Sequence, residues 1–252
     1  IRDYTLSRGL GDVIRDSPCV ALVPCLGVAT LKDVGPVGGN MFQALGVHGP
    51  ELSPLGSMLL DIALVAAAFG FLLSAPRANR MTVAMLMTMV LATTALRVVM
   101  QPLPNVQPVT VAALLVGAHL GAKRGIAFAI LVTLLSNLLI SHGWWTLFQA
   151  LGWSIVAVVG ANARLIEDGR LQTQRLCLYA VVTAPLFGFI STLSLVSSEM
   201  SVGQFIVLLG QGLPFDAIHA LGNLAFAVWT GAMLHQFPVS YTHLTLPTTS
   251  MV

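Results

Sequence analysis

From Ser57 onward, apolar runs follow one another along the chain, each broken by a short polar or turn-forming segment. A run must cross a hydrocarbon core of ~30 Å, and these are long enough to do so as helices. The pattern predicts seven spans: Ser57–Ala75, Met81–Met100, Val109–Ala122, Gly125–Ser141, Trp144–Ala161, Arg175–Ser197 and Gly212–His235. The third is short, so it is expected to begin in the loop before it or to sit where the bilayer thins. Residues 1–56 read differently. They are rich in charge, Gly and Pro, and "DVGPVGGN" (Asp33 to Asn40) reads as turns, so they are expected to be the remnant of a truncated soluble domain.

Composition agrees with a membrane chain: 56% of the 252 residues are hydrophobic and 9% charged. The net charge of +2 matters less than where the basic residues fall. Arg77 and Arg80 lie between the first two spans, Lys123 and Arg124 between the third and fourth, and Arg164, Arg170 and Arg175 between the fifth and sixth. The alternate loops 101–108, 142–143 and 198–211 carry no Lys or Arg. The positive-inside rule then places the first set in the cytoplasm and the second outside, with the N-terminal part extracellular. Arg97 alone breaks the pattern, and near the outer end of its helix it is expected to snorkel or to face a polar cavity.

Several classes are set aside by what the chain lacks. No basic cluster with interleaved aromatics points to nucleic acid. No Cys/His spacing suggests a metal site, no Walker motif is present, and no cofactor is expected. Cys177 reads as a small hydrophobe, whereas Cys19 and Cys25 could close a small loop if their segment is extracellular. The absence of an initial Met predicts residues upstream, and the Thr-rich tail of residues 239–252 reads as a non-native, adapter-derived scar.

The uncharged polar residues collect on the side without basic loops. "QPLPNVQPV" (Gln101 to Val109) brings three prolines with Asn105 and Gln107, "SHGWWTLFQALGW" (Ser141 to Trp153) brings Trp145, Gln149 and Trp153, and "GQGLPFDAIHALGN" (Gly210 to Asn223) brings Asp216, His219 and Asn223. The last three fall at i, i+3 and i+7, on one helical face. Such a face should point to a cavity or to a polar partner on another helix, since ionisable groups facing lipid are costly. Trp145, Gln149 and Trp153 stack at i, i+4 and i+8, where an interfacial aromatic belt is the plainer reading for the first. Asn137 is as well read as interhelical glue. On the second span, Ala84, Thr88 and Ala92 make a small-residue stripe that admits a helix closely, either inside the bundle or from a partner.

Three functions fit these features. One is a binding and transport subunit without catalysis of its own; a second is an intramembrane enzyme using Asp216 and His219 as an acid/base pair, with His119 or His142; a third is a membrane scaffold. No nucleophile elbow or HExxH motif supports the second.

From about Met81 to Gln236 the chain resembles the S components, the substrate-binding membrane subunits, of energy-coupling factor vitamin transporters. The segments that carry the resemblance are "PLPNVQPVTVAALLVGAHLGAKRGIAFA", "GWWTLFQALGWSIVAVVGA" and "GLPFDAIHALGNLAFA", with the stripe on the first of these six helices. The resemblance implies an all-α integral membrane bundle with a six-span S-component-like core over 81–236, to which this chain adds one span at 57–75. It also implies a vitamin or precursor, cobalamin first, bound under the external loops in the plasma membrane of a prokaryote. Asn105, Gln107, Trp145, Gln149, Trp153, Asp216, His219 and Asn223 would line the site. A transmembrane coupling component would contact Ala84, Thr88 and Ala92, and two cytoplasmic ATPase subunits would supply energy. The family's AxxxA stripe has Thr88 at its middle position here, a departure, as is the additional span. A neutral, ring-bearing ligand would suit aromatic faces and amides, with Pro102, Pro104 and Pro108 stiffening a lid.

Overall fold

A computed structural model describes residues 45–46, 49–50 and 52–243, with side chains described from Leu52 to Gln236. The remnant expected over residues 1–56 thus lies almost wholly outside the described residues, as does the Cys19 and Cys25 pair. Of the tail expected over 239–252, only the backbone up to His243 is described, and it is helical.

The described chain is an all-α bundle of seven helices: α1 Pro54–Ser74, α2 Arg80–Val99, α3 Val109–Leu120, α4 Ala122–Ile140, α5 Trp145–Asn162, α6 Thr173–Thr192 and α7 Val202–His243. Six of them, all but α3, are long and apolar enough to cross a membrane, as a multi-pass membrane protein requires. Two small antiparallel hairpins complete it, β1 (Leu45–Gly46) with β2 (Gly49–Pro50) and β3 (Ile166–Glu167) with β4 (Arg170–Leu171). Asp168 and Gly169 turn the second hairpin with φ of 51° and 72°, the left-handed pair that a two-residue turn needs.

Local chemistry sets the helix ends. Ser53 caps α1 by accepting from the Gly56 amide at 3.1 Å, and Pro54 occupies the first helical turn, where its missing N–H costs nothing. The helix stops at Ala75, extended because Pro76 follows. Asn79 caps α2 through the Thr82 amide at 2.7 Å. A single residue, Gly121, separates α3 from α4.

The short α3 spans about 18 Å, less than the hydrocarbon core. Its position explains how it is tolerated. Every residue from Val109 to Gly117 is buried, so this helix sits inside the bundle and faces protein rather than lipid. It crosses α5 where both carry glycine: a Cβ on Gly117 would overlap the Ala157 carbonyl, and one on Gly160 would overlap the Leu114 carbonyl. Around this crossing the core gathers Leu114 and Leu115 of α3, Phe128 and Val132 of α4, Trp153 and Val156 of α5, Leu176 of α6 and Ala227 of α7.

Outside this core, α1 packs chiefly on α4 through a smaller cluster of Leu64, Ala68, Ala127, Ile130, Leu134 and Ala150. Large apolar side chains cover the outside, among them Leu73, Val99, Leu139, Leu221 and Trp229, the surface a bilayer would cover.

One boundary needs correction. The segment 198–211 was expected as a loop, with the last span beginning at Gly212, but α7 begins at Val202 and runs unbroken for 42 residues. Gly210, Gly212 and Pro214 read as helix breakers; in a membrane helix neighbouring groups re-satisfy the one backbone bond that a proline removes.

Candidate functional site

The bundle has two chemically distinct ends. At one, the turn after α1, the α3–α4 junction and the α5–α6 connection lie together with the end of α7. Lys123 donates to the Ser74 carbonyl at 2.7 Å and Arg124 to the Pro76 carbonyl at 2.6 Å, while Arg175 donates to the Arg164 carbonyl at 3.0 Å and pairs with Glu167. These cations sit on the carbonyl-rich ends of α1 and α5, where helix dipoles favour them. His235 of α7 lies 3.2 Å from His119 of α3 and 3.3 Å from the Gly169 carbonyl, closing this end around the second hairpin.

At the other end, the loops 100–108, 141–144 and 196–201 carry no Lys or Arg, and the polar side chains lie inward. The inner face of α2 runs Leu86, Val90, Thr93, Thr94, Arg97, a helical spacing that turns from apolar to polar toward this end. Arg97 is only 4% exposed. Its Nε donates to Gln107 Oε1 at 3.0 Å, Nη1 to Asn137 Oδ1 at 2.7 Å and to Ser136 Oγ, and Nη2 to Gln149 Oε1 at 3.2 Å. Asn137 in turn donates to Thr146 Oγ1 and Gln149 Oε1, each at 2.9 Å. Four segments, α2, the 100–108 loop, α4 and α5, are thereby joined through one guanidinium.

The layer continues across Trp153. Arg97 Cζ lies 4.8 Å from the centre of the Trp153 ring, whose other neighbour is the stacked Phe187 ring of α6 at 4.6 Å. Trp153 Nε1 donates to Thr110 Oγ1 at 3.3 Å, and Thr110 exchanges a hydrogen bond with His219 Nε2 at 3.0 Å. The Phe187 ring also meets His219 edge-on at 5.3 Å. One turn further along α7, Asn223 is fully buried and donates to the Ala180 carbonyl at 3.0 Å, while its Oδ1 has no hydrogen-bond partner among the described residues.

Over this layer lies the proline-rich loop. Asn105 adopts a left-handed φ of 58°, which its short polar side chain tolerates, and donates to the Phe215 carbonyl of α7 at 3.1 Å. Val106 packs on Gly222 of α7, and Gln107 turns to Arg97. The loop therefore straps α7 to the polar layer.

Among the residues singled out from sequence, Gln107, Gln149, Trp153 and His219 belong to one connected layer, and Asn223 lies a turn away on α7. Asn105 is bonded to α7 at the surface of that layer. Asp216 is half-buried against Gly188 of α6, where any Cβ would overlap its carboxylate, and it makes no hydrogen bond to His219. Trp145 starts α5 with its ring over Gly143, at the rim. The stripe of Ala84, Thr88 and Ala92 is exposed on the outside of α2, and Thr88 satisfies its hydroxyl on the Ala84 carbonyl at 2.9 Å, so it packs inside no other part of the described chain.

Sequence reasoning gave Arg97 too small a part and missed Thr110, Ser136, Thr146 and Phe187. The signal for Arg97 was present, as the one cation on the neutral side; spacing along a helix identifies a face and not the partner it meets. A separate groove of about 270 Å³ between α1, α4 and α5, lined by Leu64, Phe71, Ile126, Leu147 and Val158, is almost purely apolar and holds none of this chemistry.

A family match falls on the six helices α2 to α7. Residues 77–241 match the family of unknown function DUF6580, and the chain belongs to that family. Its match begins after α1. No curated protein and no solved structure matches the chain.

Proposed function

We propose that this chain is the ligand-binding membrane subunit of a transport complex, of the kind the S components of energy-coupling factor vitamin transporters exemplify. The observation that carries the reading is the buried polar and aromatic layer. It draws on α2 to α7 and lies beneath a proline-rich loop, at the end of the bundle whose loops carry no Lys or Arg. By the positive-inside rule that end is extracellular in a prokaryotic plasma membrane, with the N-terminal part outside.

The layer's side chains bond to one another, so a ligand must part them. Gln107 is the member carried by the loop, and lifting it would uncover Arg97, Gln149 and Trp153 together. The loop is then a gate whose three prolines limit the entropy lost on closing. The ligand would be a vitamin or precursor, cobalamin first among the candidates. Catalysis is not part of the proposal: the chain would bind, while a transmembrane coupling component and two cytoplasmic ATPases would supply the energy. The exposed Ala84, Thr88 and Ala92 stripe supports a helix contact with that coupling component.

Co-purification tests this. The unmodified chain, isolated from its native membrane, should bring a polytopic partner and two ATPase chains, and A84L/T88L/A92L should lose them while remaining folded. Recovery of the chain alone in both cases would overturn the proposal.

A further inference from the structure

The hydrogen bonds of Arg97 solve only half of its problem. They satisfy four donor contacts, yet every partner is neutral: a serine hydroxyl and the amide oxygens of Gln107, Asn137 and Gln149. Ion pairs among the described residues lie elsewhere, His142 with Asp61 and Arg175 with Glu167. A guanidinium stays charged at any ordinary pH, so this one is held within a membrane bundle without an ion-pair partner among the described residues. Neutral side chains would have served interhelical bonding with less desolvation.

From this we infer that Arg97 is the anchor for a carboxylate on the small molecule the site takes. Resting on the binding-subunit reading, the inference names the substrate class: it replaces the neutral ligand expected from sequence, and with it cobalamin, whose side chains are amides without a free carboxylate, by an organic acid. The acceptors nearest the gate, Gln107 and Gln149, hold the positions that two carboxylate oxygens would take on a planar guanidinium fork. When those oxygens arrive, both glutamines are released to turn their own amide N–H groups onto the ligand. One fixed positive charge balances one negative charge, which favours a monocarboxylate over a phosphate ester carrying nearly two. The stacked Trp153 and Phe187 rings beside the guanidinium would receive a flat apolar or aromatic body. The substrate class is therefore a planar organic monocarboxylate.

Benzoate, benzamide and inorganic phosphate separate the possibilities, each titrated to about 10 mM against the full chain in phosphatidylcholine nanodiscs, with tryptophan fluorescence and unfolding temperature as readouts. Benzoate should quench fluorescence and raise the unfolding temperature. Benzamide, which has the same shape without the charge, and phosphate should do neither. R97Q should weaken the benzoate response about tenfold or more, and R97K should weaken it less while still preferring benzoate. The contrast between benzoate and benzamide on the unmodified chain needs no variant to fold.

Equal responses to benzoate and benzamide, a phosphate response instead, no response to benzoate, or an undiminished response in folded R97Q would each overturn the assignment. Failure of the broader reading looks different. Missing transport partners would remove that reading, whereas co-purifying ATPases together with a benzoate-blind chain would leave it standing and remove the carboxylate alone.

Discussion

At the basic end, Lys123 and Arg175 are exposed, and with Arg124 they reach helix-terminal carbonyls or a half-exposed glutamate. At the neutral end one cation, Arg97, is buried and meets only neutral acceptors. The difference teaches that the basic end's charges need little from the protein, since they stay open to solvation by water or headgroups. Arg97 needs four protein partners, and those partners tie α2, α4, α5 and the proline-rich loop into one unit. The charge that breaks the topology pattern is the one that organises the site.

Four substitutions sharpen or break this comparison. Arg97→Ala should have the largest effect. It leaves several buried acceptors short of a donor and opens a void, and the loss should be on the order of 3 kcal/mol, measured by unfolding of the chain in detergent. Next, Thr110→Val keeps shape but removes the bridge between Trp153 and His219, and should cost about 1 kcal/mol while altering tryptophan emission. Gly188→Ala should then cost roughly 1 kcal/mol by displacing the Asp216 carboxylate, and Asp216→Ala in the same chain should recover most of it; non-recovery would show that the backbone, rather than this side chain, fills the space. Smallest of all, Arg175→Ala at the basic end should change stability by less than about 1 kcal/mol. If Arg175→Ala proved as damaging as Arg97→Ala, the contrast between the ends would fail.

Much of the architecture is legible in the sequence because a bilayer allows few solutions. Runs of apolar residues set α1, α2, α4, α5 and α6, with boundaries that fall close to the expected ones. The start of α7 was not legible, since Gly210, Gly212 and Pro214 signal a turn in water and are accepted within a membrane helix. Nor was the interior place of α3. Its length alone suggested a start in the preceding loop or a thinner bilayer, and only its crossing with α5 at Gly117 and Gly160 shows why it can be short.

The candidate site was legible as a set of faces. The spacing of Asp216, His219 and Asn223 and of Gln149 and Trp153 identified side chains that share a direction. It could not tell that His219 meets Thr110, that Phe187 lies between His219 and Trp153, or that Gln107 and Gln149 are held by Arg97. Those pairings depend on how α3 and α6 pack, and neither helix carried a strong polar signal of its own. Thr110 and Phe187 look like ordinary membrane residues until their neighbours are known.

The central claim, that the neutral-end layer holds a small molecule, is tested most directly by mass spectrometry of what the gently purified chain releases on denaturation, compared with Trp153→Ala prepared in parallel. The account predicts one small organic molecule in near-stoichiometric amount from the unmodified chain and about a tenfold depletion from the variant. Release of nothing from either, or of the same molecule in equal amount from both, would contradict it.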